Sequence, residues 1–167
     1  GLYRHFAGKD AMLAELLVGI SERLLEEGRR RAAADDPQAA LDALVRGHID
    51  FALDDQPLIV LHDRELDRLR EEDRRTVRRL QRQYVELWVG VLRQVYPGLA
   101  EPEARAAVHA VFGLLNSTPH SAAGRTGSHR PVALPDRARM AELLRRLALG
   151  AFAAAAQDGT GDRPSAG

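Results

Sequence analysis

The chain has no cysteine, which excludes disulfide staples and thiolate metal sites. Of its 24 basic residues only one, Lys9, is a lysine. Aromatic residues make up just 5%. The formal net charge is zero, so the whole molecule is not a generic binder of polyanions, and any grip on nucleic acid must come from a local patch. No apolar run approaches the roughly 20 residues of a membrane span. The richest stretch, "LGAFAAAA", is short and mostly alanine. No secretory leader is visible, so a cytoplasmic setting without membrane contact is expected. Period-two alternation of apolar and polar residues is missing as well, which removes the usual signal for strands.

What remains is helix. The 167 residues are 45% hydrophobic and 29% charged, enough for one domain with its own core. A stub over residues 1–6 meets a break at Ala7-Gly8. A long helix then follows over residues 9–33, with Met12, Leu13, Leu16, Leu17, Ile20 and Leu24 on one face. "DDP" restarts the chain, with Asp36 as N-cap and Pro37 as first helical residue. Helices are expected over residues 37–53, 57–69 and 71–96. The third of these is apolar on two sides and therefore central. "PG" at 97–98 ends it. Two more helices are expected over residues 102–117 and 135–157. Between them residues 118–134, rich in Gly, Ser and Pro, read as a long loop. Residues 158–167 read as a disordered tail.

The opening "LYRHFAGKDAMLAELL" carries the most specific signal. A Tyr, polar residues, a Phe, a Gly-Lys break, an acidic residue and a Leu-rich helix follow in order, at Leu2, Tyr3, Phe6, Gly8, Lys9, Asp10 and Leu13. This resembles the junction between the DNA-recognition helix and the next helix in the TetR family of transcriptional repressors. The rest of the chain is similar to that family in organisation only. The resemblance implies an all-α, TetR-like fold. Residues 1–8 would be the end of a helix-turn-helix head lacking its N-terminal part, and residues 9–157 a ligand-binding and dimerisation body. The chemistry of the stretch suits double-stranded operator DNA. Tyr3, Arg4 and His5 can reach phosphate or base edges. Lys9 is expected in a first helical turn, where free N–H groups and the dipole favour an anion.

The resemblance also implies a homodimer through helices 102–117 and 135–157, and a small apolar or amphipathic effector inside the body. For that site we look for polar and aromatic groups on apolar faces. His48 and Phe51, Tyr84 and Trp88, and His109, Phe112 and Asn116 fit that description. Each of them also suits a plain core position with a satisfied hydrogen bond. The run "LHDRELDRLREEDRR" offers His62, Asp63 and Glu65, but its spacing favours a solvated charged face over a metal site. No nucleophile elbow or phosphate loop is visible, so neither catalysis nor a cofactor is expected. Two rivals stand beside the regulator: a helical interaction module, and a helical enzyme using His48 or His62 as a base.

Overall fold

A computed structural model describes residues 2–123 and 134–157. Among the described residues there are six α-helices and one 3-10 turn, and no strand. The expected all-α class is the one observed. The helices are α1 (Leu2–Ala32), α2 (Pro37–Asp54), α3 (Gln56–Glu65), α4 (Glu71–Val95), α5 (Glu101–Ala123) and α6 (Arg137–Ala156), with the 3-10 turn Leu66–Arg68 after α3. None is long and apolar enough to cross a membrane.

Local chemistry sets most boundaries. The Asp36 carboxylate accepts from the Ala39 amide at 3.2 Å, and Pro37 opens α2 with its φ already set. Asp136 caps α6 in the same way, accepting from the Arg139 amide at 2.9 Å. Glu71, Glu72 and Asp73 sit in the first turn of α4, where they complement the helix dipole. That helix stops before Tyr96-Pro97-Gly98.

Three expectations need correction. The break at Ala7-Gly8 is absent: α1 runs unbroken from Leu2 to Ala32. A glycine inside a helix costs about 1 kcal/mol against alanine, which a 31-residue helix absorbs without ending. Lys9 therefore lies inside the helix and exposed, not in a first turn. Its neighbouring amides belong to the intrahelical ladder rather than to a free N-terminus. Second, α5 extends to Ala123, so it takes in residues 118–123 of the expected loop. Pro119 removes one ladder bond there, and the helix continues past it. Third, the expected helix over residues 57–69 splits into α3 and the 3-10 turn, after which Leu69 is extended. Residues 124–133 and the tail 158–167 lie outside the described residues.

Two apolar clusters organise the packing. The large one joins α2, α4, α5 and α6 around the fully buried Trp88, Leu92, Leu115 and Phe152. The small one holds only Ala14, Leu17, Leu69 and Val77, where α1 meets the start of α4. Helix α4 runs through both, as its two apolar stripes anticipate. Gly28 on α1 marks a close approach to α4, since a Cβ there would stand 3.0 Å from the Tyr84 ring and from Leu87.

Candidate functional site

Between the two clusters lies a cavity of about 280 Å³. Five helices wall it. Leu17, Ile20, Ser21 and Leu24 come from α1, and His48 and Phe51 from α2. Leu58, Ile59 and His62 come from α3, with Leu80, Gln81, Tyr84 and Val85 from α4. His109, Phe112 and Asn116 complete it from α5. The helical spacing explains the assembly: on each helix the lining residues recur three or four apart, so one face of each turns inward.

Six of the seven ligand candidates read from the sequence meet here. His48 is buried, with Nδ1 3.0 Å from the Tyr84 hydroxyl and Nε2 2.8 Å from Asn116 Oδ1. Three rings share an orientation around it. The His48 and Phe112 planes differ by 11°, Tyr84 and Phe112 by 16°, and His48 and Tyr84 by 26°. Phe51 is tilted against His48 at 6.0 Å. His109 is exposed and stands at the rim.

Trp88 is the seventh candidate and lies behind this layer, not among the lining residues. It meets Phe112 edge-on at 4.9 Å and is fully buried. Among the described residues its indole N–H has no hydrogen-bond partner.

Burial dominates the electrostatics. It lowers the His48 pKa to about 4, against a smaller opposing effect of the Asn116 hydrogen bond. The nearby Arg31 cation adds to the lowering. Burial likewise raises the Tyr84 pKa. Both groups are therefore neutral at pH 7. No Asp, Glu, Lys or Arg lines the cavity among the described residues.

Sequence reasoning missed three polar groups of the wall. Ser21 is buried and donates to the Leu17 carbonyl at 2.8 Å. Gln81 on α4 and His62 on α3 are 2.6 Å apart, nitrogen to nitrogen. The charges crowded around His62 made a solvated face the natural reading. The signal was the triplet Leu58, Ile59, His62 at helical spacing, which puts the histidine on an apolar side. Of the DNA-contact candidates, the side chains of Tyr3, Arg4 and His5 lie outside the described residues. Lys9 is far along α1 from the cavity wall, which begins at Leu17.

Residues 34–126 match the family described as tetracyclin repressor-like, C-terminal domain. No curated protein sequence matches the chain significantly. Among solved structures, the fold is similar to PfmR, a TetR family transcriptional regulator from Thermus thermophilus, with a TM-score of 0.67 and 22% identity. That match covers 89% of this chain and 79% of PfmR. A TetR-family transcriptional regulator from Bordetella parapertussis is similar with a TM-score of 0.68 and 23% identity, over 89% of this chain and 75% of that one.

Proposed function

The chain belongs to the tetracyclin repressor-like C-terminal domain family, and from that premise we propose a homodimeric, ligand-responsive transcriptional repressor. Residues 1–8 are the end of its DNA-binding head in this reading, and residues 9–157 its sensing and dimerisation body. The observation that carries the proposal is the cavity. Its wall includes α1, the same helix that leads back to Tyr3, Arg4, His5 and Lys9. An occupant held by His48, Phe51, Tyr84, His109, Phe112 and Asn116 touches α1 directly at Ile20 and Leu24. Trp88 acts from behind, through Phe112. A ligand that prefers one setting of α1 shifts the heads by its differential affinity, typically about 1–3 kcal/mol of coupling.

The outer face of α5 and α6 supports the dimer. Ala106, Ala110 and Gly113 are exposed on α5, and Gly150, Ala151 and Ala154 on α6. Leu147 is 45% exposed beside them. Small residues with one large apolar neighbour allow two copies to approach closely in a four-helix bundle.

The test uses the protein with its intact head on a labelled promoter fragment. Lys9→Glu is expected to weaken binding and to reduce the slope of affinity against salt by about 1. Gly113→Arg is expected to give monomers by sedimentation and to lose the fragment. Unchanged affinity in both variants would remove the Lys9 contact and the α5–α6 dimer, and failure of the unmodified protein to bind any promoter fragment would leave the interaction module.

A further inference from the structure

We infer that Asn116 reads the effector as a hydrogen-bond donor, and that the cavity takes an uncharged, flat, one- or two-ring aromatic compound bearing a carbonyl acceptor. The inference rests on the proposal that this cavity is the effector site.

The donor assignment follows from where the protons are. Asn116 presents Oδ1 to His48 Nε2 at 2.8 Å, so Nε2 carries the ring proton of the neutral imidazole. Nδ1 is then the acceptor, and the Tyr84 hydroxyl donates to it at 3.0 Å. The relay runs one way, from Tyr84 through His48 to Asn116. It ends with the Asn116 carbonyl engaged and the carboxamide N–H groups left over. Among the described residues the hydrogen bond of this side chain is the one that Oδ1 accepts from His48. Asn116 also lines the cavity, so those donors are offered to whatever fills it.

Size and charge narrow the rest. An apolar cavity of about 150 Å³ holds benzene, and this one, at about 280 Å³, is roughly twice that. The space matches a bicyclic ring system and is small for a long acyl chain with a bulky head. The three near-parallel rings of His48, Tyr84 and Phe112 set a plane against which a flat ring stacks. With no ionised side chain in the described wall, a carboxylate or an ammonium entering it would lose its hydration without a partner.

The experiment uses the chain's single tryptophan, Trp88, as a fluorescence reporter beside Phe112. Four probes are titrated: α-tetralone, its hydrocarbon tetralin, naphthoate and octanoate. Melting temperature is followed in parallel. α-Tetralone is expected to bind about tenfold more tightly than tetralin, and the two anions more weakly than either. Asn116→Asp keeps an acceptor facing His48 and deletes the donor, so it should bring α-tetralone down to the level of tetralin and leave tetralin unchanged. The comparison of ketone with hydrocarbon on the unmodified protein needs no variant, and it decides the matter even where Asn116→Asp does not fold. Equal affinity for ketone and hydrocarbon, or undiminished ketone binding by Asn116→Asp, would overturn the role of Asn116. Tighter binding of naphthoate or octanoate would overturn the ligand class while leaving an effector cavity in place. No response to any of the four would take the effector reading down with it.

Discussion

Helix α4 lives in two settings along its length. From Val85 to Leu92 it is embedded in the large cluster, with Trp88 and Leu92 fully buried, α1, α2 and α5 packed against it, and the Phe152 ring of α6 reaching Trp88. From Val77 to Gln81 it borders the cavity, with Val77 in the cluster of four buried residues and Leu80 at the edge of the large one. The rear of the molecule is close-packed, and at the front the small cluster borders an open space. Dense packing resists deformation, whereas segments with few buried apolar contacts open at lower free energy. The rear is thus suited to a fixed frame and subunit contact. The front, made of the cavity-facing Leu17–Leu24 stretch of α1 with α3 and the 3-10 turn, is where an occupant acts in the proposed regulator.

The contrast can be broken first by cutting into each side. Phe152→Ala removes a fully buried ring from the rear and is expected to cost about 3–5 kcal/mol. Leu69→Ala, in the small front cluster, should fall at the low end of the range for buried leucine, about 2 kcal/mol, because that cluster can collapse toward the cavity. Denaturant unfolding of both variants checks the order, and a larger loss from Leu69→Ala would reverse the picture.

A second probe is acid, which acts at the boundary between the regions. His48 has its pKa lowered from 6.5 to about 4 by burial. Above pH 6.5 the contribution of neutral His48 is complete. As pH falls from 6.5 to about 4 the unfolded chain takes up the proton and the folded chain does not, so stability falls. The shift corresponds to roughly 3 kcal/mol across that window. Unfolding free energies at pH 7 and pH 4.5 measure it, and His48→Gln should flatten that part of the profile.

The smallest effect tests whether the rear frame unfolds as one unit. Asp36→Ala deletes the N-cap of α2 and should cost about 1 kcal/mol. Hydrogen exchange should show that loss spread over α2 and the second half of α4 together. A loss confined to the first turn of α2 would mean that the rear is less cooperative than its packing suggests.

How much of this could be read from the residues alone varies with range. Asp36-Pro37 and Pro97-Gly98 act on their immediate neighbours, and the boundaries they set are where the sequence put them. The two apolar stripes of α4 were legible because a stripe needs only one helix to define it. Gly8 misled, since a local cost of about 1 kcal/mol does not decide the fate of a helix sustained over many turns. Pro119 misled in the same way at the end of α5. His48, Tyr84 and Asn116 stood out one by one as polar groups on apolar faces. Their mutual bonds span 36 and 68 positions, and no periodicity encodes a pairing at that distance. His62 and Gln81 were hidden by charged neighbours that point elsewhere on their own helices.

The crossing at Gly28 has a mechanical consequence. With no side chain there, α1 lies close against Tyr84 and Leu87, and in the proposed regulator this crossing serves as the pivot. The helix rises about 1.5 Å per residue, so Ile20 stands on the order of 12 Å from that support and Lys9 on the order of 28 Å. A rod turning about such a support travels more than twice as far at its distant end as where it is pushed. On the proposed mechanism, a displacement of a single bond length beside the cavity becomes, at residue 9, a distance on the scale that separates contact from no contact.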